Sequence, residues 1–357
     1  MKLPLKTEPT NICILRLSAV GDVCHMLPIV RTIQKHWPNT EITWIIGQLE
    51  YSLVCDIPNI KFIIFDKSKG FSAYISLQRH LKNKSFDVLL HMQMSLRASI
   101  ASLLVKAKIK LGFDRDSAKD LQWLFTNHKL HKPSSGHVID NFFNFIETLG
   151  ISERHLKWDI PLPPAALEFA KQQIPDSPIF VISPCSSMAY RNWNIASYAA
   201  IADYANAEYG FTIVLTGGPS EIEQYYGAKI SKQANTKIIN LISKTNLKQL
   251  SAILSRATVL LSPDSGPAHI ATAVNLTVIG LYATTNAQRA QPYLSQKYTI
   301  DKYPEAILEK FNKKVSQLPW GTRVRDLGTM DRITIDDVKQ KIDLFCADNN
   351  ITKFKSV

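Results

Sequence analysis

Short apolar runs alternate with amphipathic stretches along this 357-residue chain. In the first half, the runs at residues 12–17, 41–46, 61–65 and 87–91 have the length and composition of buried strands. After the first run, the spacing predicts a helix with its apolar positions at Val23, Met26, Leu27, Val30, Ile33 and Trp37. Pro28 lies inside this pattern and predicts either a late helix start or a kink.

The alternation restarts after a Pro-rich stretch at residues 159–169, which we interpret as a linker. Predicted strands follow at residues 179–183, 211–216, 237–241, 258–262 and 277–282, and predicted helices at residues 195–209, 247–256 and 336–346. Strands that alternate with helices favour parallel sheets covered on both faces. The predicted fold class is therefore α/β, with two Rossmann-like domains whose strand ends face a central cleft.

The chain length suits two domains of ~150 to 200 residues each. We place the N-terminal domain at residues 1–165 and the C-terminal domain at residues 170–330. The last segment, residues 331–357, is expected to form a helix that packs back toward the N-terminal domain.

The composition narrows the class of protein. The first residues lack the apolar core of a secretory signal, and no stretch reaches the ~20 apolar residues of a membrane span. Five widely spaced cysteines without a CxxC pair suit a reducing compartment, so we expect a cytoplasmic protein. No HExxH or similar ligand spacing is present, and no catalytic metal is expected.

Positive charge is concentrated in one part of the chain. The net charge is +12, and residues 67–132 contain thirteen Lys and Arg against four Asp, a local balance of +9. A solvated surface, nucleic acid, an anionic membrane or a phosphorylated substrate would each account for this excess. Composition does not choose among them.

Residues 18–22 follow the first predicted strand and open the first helix. Gly21 lets the backbone approach a ligand closely, and Asp22 is either a helix cap or a general base at the cleft. The segment is neither GxGxxG nor a P-loop, so ordinary dinucleotide binding is disfavoured.

Three predicted strands of the second half end in loops that could bind a nucleotide. Residues 262–269 combine a small-residue turn with a helix start, which suits a diphosphate but equally suits a plain capped helix. Residues 183–193 offer two adjacent hydroxyls and Arg191, whose guanidinium matches phosphate oxygens. Glu221 follows Gly217 and Gly218, where it could accept hydrogen bonds from a ribose diol or simply satisfy the helix dipole. Each loop alone is a weak signal, but together they predict one nucleotide pocket.

These motifs resemble a known family. The segments ILRLSAVGDVCHMLPIVRTIQKHWP, TGGPSEIE and LISKTNLKQLSAILSRATVLLSPDSGPAHIATAV are similar, in this order, to signatures of glycosyltransferase family 9, the lipopolysaccharide heptosyltransferases. The segments RLSAVGDVCH and LPWGTRVRDLG look most like those of the heptosyltransferase I branch. The resemblance implies a GT-B fold, an ADP-heptose donor, an inverting mechanism without metal, and a Kdo residue of Kdo-lipid A as acceptor.

The resemblance also assigns roles to residues. Asp22 corresponds to the family's proposed general base, and the donor would be bound by Ser186, Ser187, Arg191, Glu221, Asp264, Ser265, Gly266 and His269. Lys119 stands where relatives have an arginine near the acceptor. Arg97 and Arg115 are added from the basic segment and His137 as a further candidate, so the full set of expected acceptor residues is Ser18, Gly21, Arg97, Arg115, Lys119 and His137. The basic segment would then face the anionic cytoplasmic side of the inner membrane, which predicts a peripheral protein.

Other functions stay open at this point. The chain could be a GT-B transferase for another ADP- or UDP-sugar, a heptosyltransferase II-type enzyme that adds to heptose, or a sugar-nucleotide binder without catalysis. Nucleic acid is not expected as a partner, because RNP-type aromatics, zinc fingers and a basic helix are all missing from the sequence.

Overall fold

The computed structural model describes residues 3–115, 118–130 and 136–354. The chain divides into two compact units, Met1–Pro161 and Leu162–Val357. The division falls inside the Pro-rich stretch at residues 159–169, slightly before the expected end of the first domain.

The N-terminal unit is built on a parallel sheet with strand order β3-β2-β1-β4-β5-β6. Its strands are β1 (Asn11–Leu15), β2 (Glu41–Gly47), β3 (Ile60–Phe65), β4 (Phe86–His91), β5 (Ala107–Gly112) and β6 (His128–Lys129). Its helices are α1 (Val20–His36), α2 (Gln48–Val54), α3 (Phe71–Leu81), α4 (Leu96–Leu103) and α5 (Val138–Leu149). Helix α1 begins at Val20 and runs through Pro28, which excludes the late start.

The C-terminal unit repeats this plan with strand order β12-β11-β10-β7-β8-β9, again parallel. Its strands are β7 (Ile179–Ile182), β8 (Thr212–Leu215), β9 (Ile238–Asn240), β10 (Val259–Pro263), β11 (Val278–Tyr282) and β12 (Ile300–Asp301). Its helices are α6 (Pro164–Gln173), α7 (Ile195–Tyr209), α8 (Glu221–Gln233), α9 (Leu247–Arg256), α10 (Gly266–Ala273), α11 (Ala287–Ala290), α12 (Tyr303–Phe311) and α13 (Ile335–Asp348). Two parallel sheets with interleaved helices confirm the predicted α/β class with two Rossmann-like domains.

The terminal helix α13 contributes to the core of the C-terminal unit. The apolar face of α13 is buried in the core of the C-terminal unit, where Val338, Ile342 and Phe345 join Tyr198 and Trp193. This apolar stripe packs against α7 and β11 of the same unit. The expectation that the helix packs back toward the N-terminal domain stays a prediction.

Among the described residues, no helix is both long enough and apolar enough to cross a bilayer.

Candidate active site

Asp22 lies in the first turn of α1, where the chain leaves β1. Its Oδ2 accepts a hydrogen bond from the Ala19 backbone N–H at 3.4 Å, so the carboxylate does cap the helix. The same oxygen forms an ion pair with the guanidinium of Arg16, and 33 % of the Asp22 side chain is exposed. The carboxylate is therefore held in orientation and still accessible, as a general base must be.

Arg16 is the side chain that holds Asp22, and no sequence motif indicated it. The Arg16 side chain is only 10 % exposed. Its Nη1 donates to the Met92 carbonyl oxygen at 2.5 Å, and its guanidinium lies 5.1 Å from the centre of the Phe142 ring. A buried guanidinium needs an anionic partner, and Asp22 supplies it. The available signal was a charged residue inside the apolar run at residues 12–17.

The loop before Asp22 is fixed by two glutamines that sequence reasoning also missed. Gln93 accepts from the backbone N–H groups of Leu17 at 2.6 Å and Ser18 at 3.2 Å, and its Nε2 donates to Ser18 Oγ at 3.1 Å. Gln122 in turn donates to the carbonyl oxygens of His91 at 2.7 Å and Gln93 at 3.3 Å. These bonds tie the loops after β1 and β4 to each other.

Glu50 is a further carboxyl group at this edge of the sheet. It is buried against Gly47, where a Cβ would lie 2.4 Å from Glu50 Oε2 and 2.4 Å from the Leu17 carbonyl oxygen. Glycine is required there because both groups approach its Cα. Burial raises the pKa of Glu50, and a backbone hydrogen bond and the charges of Lys67 and Arg16 oppose this effect.

The expected acceptor residues divide into two groups. Ser18 and Gly21 lie with Asp22 on the loop and first turn after β1. His137 is buried, caps α5 by accepting from the Ile139 N–H at 3.2 Å, and lies with its ring 5.3 Å from that of His25. Capping α5 gives His137 a structural role, and its expected contact with the acceptor stays a prediction.

The basic acceptor residues lie further along the chain. Arg97 is exposed on α4. The guanidinium of Arg115 lies 4.9 Å from the centre of the Trp123 ring, and Lys119 is exposed in the loop that follows. Asp120 Oδ2 accepts from the Leu96 N–H at 3.3 Å, which brings this loop to the start of α4.

In the C-terminal unit, Arg191 and Asp264 form a buried ion pair. Arg191 Nη1 lies 3.1 Å from Asp264 Oδ2 and donates to the Asp264 carbonyl oxygen at 3.1 Å. His269 Nε2 lies 3.9 Å from Asp264 Oδ1. Burial acts to raise the pKa of Asp264, but His269 and the charge of Arg191 hold it down at about 2. The carboxylate thus stays charged and orients the arginine.

The Nε of Arg191 is buried and has no hydrogen-bond partner among the described residues. A buried N–H without an acceptor is costly, and an anionic oxygen would satisfy it. Ser186 begins the same loop, its backbone N–H donating to Asn192 Oδ1 at 2.8 Å, and Ser187 beside it is exposed. This loop follows β7, the neighbour of β10 in the sheet, so it lies beside Asp264.

Helix α10 begins directly after Asp264. Ser265 is its N-cap residue and Gly266 its first residue, and Ser265 Oγ lies 2.8 Å from Ser262 Oγ. Backbone N–H groups at a helix start carry partial positive charge and suit an anionic oxygen. The structure therefore brings Arg191, Ser265 and Gly266 to one edge of the sheet, as expected for a phosphate-binding site.

The glycine turn after β8 has a second glutamate, Glu223, beside the expected ribose contact Glu221. Glu221 is exposed in the first turn of α8. Glu223 accepts instead from the Gly218 N–H at 2.7 Å and from Ser220 Oγ at 2.6 Å. Glu223 therefore shapes the turn, while Glu221 is the one left open to a ligand.

Asn286 is a polar residue that no motif indicated. It caps α11 just beyond β11, where its Oδ1 accepts from the Gln288 N–H at 3.0 Å. Its Nδ2 is buried without a hydrogen-bond partner in the part of the chain that the structure describes. Since β11 pairs with β10, this donor lies at the same edge of the sheet as Asp264.

No three His, Cys, Asp or Glu side chains within residues 3–115, 118–130 and 136–354 are arranged to hold a metal ion. The positive charge beside Asp264 comes from Arg191 and the start of α10.

Comparisons with known proteins agree with this architecture. The sequence model of glycosyltransferase family 9 (heptosyltransferase) matches residues 74–320. The chain is 42 % identical to the lipopolysaccharide core heptosyltransferase OpsX of Haemophilus influenzae, over 96 % of this chain and 100 % of the relative. A family 9 glycosyl transferase structure from Veillonella parvula superposes with a TM-score of 0.77 at 22 % identity, covering 95 % of this chain and 97 % of that one.

The structure of Escherichia coli heptosyltransferase WaaC with ADP has the same fold, with a TM-score of 0.69 at 18 % identity, over 94 % of this chain and 99 % of that one. The match to the family model covers more than half of the chain, and the full-length relative is well above 30 % identical. The chain belongs to glycosyltransferase family 9, the heptosyltransferase family, and is a glycosyltransferase of GT-B fold.

Proposed function

We propose that this protein transfers L-glycero-D-manno-heptose from ADP-heptose to a Kdo residue of Kdo-lipid A, with inversion and without a metal, in lipopolysaccharide core synthesis. The observation that carries the proposal is that each unit has one half of the required chemistry: an accessible, oriented carboxylate, Asp22, on the N-terminal unit and a cationic strand-end edge around Arg191 on the C-terminal unit. The name of the Haemophilus relative, a lipopolysaccharide core heptosyltransferase, supports the sugar and the pathway.

In the proposed reaction, Asp22 accepts the proton of a Kdo hydroxyl while that oxygen attacks the anomeric carbon of the heptose. Arg16 keeps the carboxylate directed by pairing with it. A single displacement of this kind inverts the configuration at the anomeric carbon.

The departing ADP carries growing negative charge on its β-phosphate. Arg191, the hydroxyls of Ser186 and Ser187, and the N–H groups of Ser265 and Gly266 would stabilise that charge. Asp264 serves to position Arg191, and the buried Arg191 Nε offers the phosphate a donor that nothing else in the described chain uses. Fixed donors of this type stabilise developing charge at little reorganisation cost. A guanidinium and a helix start supply what a metal would otherwise provide.

The remaining donor and acceptor roles follow from the same proposal. Glu221 would bind the ribose diol and His269 would support the diphosphate loop. Arg97, Arg115 and Lys119 would bind the carboxylates and phosphates of the acceptor, since each is cationic and lies on the N-terminal unit. A lipid-linked acceptor would keep the protein at the anionic cytoplasmic face of the inner membrane.

ADP release is the direct test. The full chain is incubated with ADP-heptose and with Kdo-lipid A bearing one Kdo, one phosphorylated Kdo or two Kdo units, and product masses are recorded. We expect ADP and a heptosylated product with at least one of the three, and loss of turnover by about a thousandfold in Asp22→Asn with ADP affinity retained. Transfer only to an acceptor that already carries heptose would replace the Kdo acceptor by a heptosyltransferase II-type reaction.

Two other results would contradict the donor assignment and the role of Asp22, respectively. Stabilisation by UDP beyond that by ADP in a thermal-shift panel would indicate another nucleotide sugar. An Asp22→Asn variant that folds, binds ADP and transfers sugar at the wild-type rate would remove Asp22 from the role of base.

A further inference from the structure

Helix α4 is apolar on its solvent-facing side as well as on its buried side. Ala98 and Ala101 pack into the N-terminal core. Leu96, Ile100 and Leu103 are 55 %, 41 % and 61 % exposed. Their spacing of four and three residues places them in one stripe along the outer side of the helix. Surface helices carry polar residues at such positions, and an exposed apolar stripe marks an interaction surface.

Helix α3 extends this apolar surface. Ala73 and Leu77 pack into the same core as the inner face of α4, so the two helices cover one face of the sheet. Phe71 and Ile75, four residues apart on α3, are exposed. Tyr74 Oη donates to the carbonyl oxygen of the second residue of α4 at 3.4 Å, which places the helices side by side.

The short helical turn at Gln122–Phe125 adds a third apolar segment. Leu121 and Leu124 are both 59 % exposed there. The hydrogen bond from the Leu96 N–H to Asp120 Oδ2, at 3.3 Å, joins this segment to the start of α4. The exposed apolar side chains of the three segments form what we term the α3–α4 face: Phe71, Ile75, Leu96, Ile100, Leu103, Leu121 and Leu124.

Cations outnumber acidic residues in the sequence that carries the α3–α4 face. Residues 107–124, which lead to the third segment, contain four Lys and Arg and three Asp, whereas residues 67–106, which hold α3 and α4, contain seven Lys and Arg and a single acid, Asp87. Asp87 is buried and already paired with Lys108 at 2.7 Å, so it does not offset the field of the surface cations. The exposed cations of this stretch are Lys67, Lys69, Arg79, Lys82, Lys84, Arg97 and Lys106.

We propose that the α3–α4 face docks on an anionic lipid bilayer, with its apolar side chains entering the interfacial region and its cations meeting lipid phosphates. Exposed apolar groups interspersed with lysine and arginine are the pattern that lies on such membranes. A second copy of this chain fits the face less well, because two such surfaces would bring their cations together.

The position of the face relative to the catalytic loop supports a lipid partner. Ser95 caps α4, its backbone N–H donates to the Gln93 carbonyl oxygen at 3.2 Å, and Gln93 Nε2 donates to Ser18 Oγ at 3.1 Å. The apolar stripe therefore begins one short turn away from the loop that holds Asp22. This inference rests on the proposed function, since a lipid-anchored acceptor would reach that loop from the bilayer on which the face lies.

The test combines vesicle sedimentation with transfer assays on the full-length protein. Vesicles of phosphatidylethanolamine with phosphatidylglycerol, and vesicles of phosphatidylcholine alone, are mixed with wild type and with the double variant Ile100→Ser/Leu103→Ser. We expect wild type to pellet with the anionic vesicles, with partial release at ~0.5 M salt, where surface charges are screened. The variant should bind about tenfold less at every salt concentration. Leu167→Ser/Leu308→Ser is the matched control, because both leucines are exposed on helices of the other unit.

Transfer to two acceptors separates this inference from the proposed function. The variant should transfer heptose at the wild-type rate to a deacylated, soluble acceptor and several-fold more slowly to the same acceptor in anionic vesicles. Three results would overturn the docking proposal and leave the transfer activity unaffected. The first is that the wild type pellets no better than the variant, the second that it pellets equally with vesicles that lack anionic lipid, and the third that it forms a dimer that the double substitution dissociates. Vesicle binding without transfer to any acceptor would instead refute the proposed function.

Discussion

Replacing Asp264 by asparagine tests whether one buried carboxylate sets both the stability of the C-terminal unit and the shape of the donor site. Asparagine keeps the size of the side chain but removes the charge that lies 3.1 Å from Arg191. Both side chains are only 12 % exposed, so the guanidinium would remain buried without its counter-charge.

The pKa of Asp264 supplies the magnitude. It is about 2, against an ordinary value of 3.8, because His269 and Arg191 outweigh the effect of burial. The difference corresponds to about 2 kcal/mol of stability at neutral pH. Since the folded-state pKa is lowered, this contribution is present above 3.8 and is lost as the pH falls toward 2. Roughly half of it should be gone at ~pH 3.

Urea unfolding between ~pH 3 and ~pH 7 measures the effect. Asp264→Asn should unfold with about 2 kcal/mol less free energy at neutral pH, and the gap to wild type should narrow at the acid end. Titration calorimetry should show ADP bound about tenfold more weakly, because Arg191 loses its fixed orientation.

Asp343→Asn is the matched control, since Asp343 accepts from Tyr204 and Tyr209 at 2.6 Å each, in hydrogen bonds that do not involve the donor-site residues. It should lose stability and keep its ADP affinity. A stability gap for Asp264→Asn that does not change with pH, or unchanged ADP affinity in that variant, would refute the reasoning.

Three further predictions concern the two sites. Arg16→Gln should lower kcat about 10- to 100-fold with little change in the KM for ADP-heptose, because Asp22 loses its buried partner. Arg16→Lys keeps the positive charge and should recover part of the rate, so an equal loss in both variants would contradict a role for the charge. Glu221→Gln should weaken ADP binding about fivefold without changing the urea midpoint of unfolding. Glu223→Gln should instead lower that midpoint, because the hydrogen bonds from Gly218 and Ser220 weaken. Weaker ADP binding in Glu223→Gln and not in Glu221→Gln would move the ribose contact to Glu223. Prolonged treatment with a strong chelator should leave the transfer rate unchanged, and a loss that only added metal restores would refute the metal-free mechanism.

The fold was predictable from the sequence because buried parallel strands are nearly continuous apolar runs. Strand β5 was missed since Lys108 and Lys110 alternate with its apolar residues, and these lysines reach solvent or the Ser102 carbonyl oxygen rather than the core. Strands β6 and β12 contain two residues each, too few for any periodicity.

The path of the terminal segment could not be predicted for a different reason. The apolar stripe of α13 shows that the helix must be buried, but a stripe does not identify the surface that buries it. Only the folded chain shows that Trp193 of the C-terminal unit, whose Nε1 donates to the Ile333 carbonyl oxygen at 2.9 Å, fixes the entry to this helix.

The candidate site shows which chemistry a local motif can and cannot predict. Residues that directly follow a strand end, such as Asp22, Ser265 and Gly266, are adjacent in sequence to the turn that positions them, so a motif identifies them. The residues that orient them come from elsewhere in the sheet: Gln93 reaches Ser18 across 75 positions and Arg191 reaches Asp264 across 73.

The orienting residues still leave a trace in the sequence, in the form of polar residues inside apolar runs. Arg16 lies near the end of one such run and His91 ends another, and both are buried in the fold. Burial lowers the pKa of His91 to about 3, so its ring stays neutral and lies 3.1 Å from Gln122, the residue that ties the β4 loop together. A buried strand tolerates such residues only where a partner satisfies them. A polar residue at the carboxyl end of an apolar run is therefore evidence for a network at that edge of the sheet, and here it leads from Arg16 directly to the catalytic carboxylate that we propose.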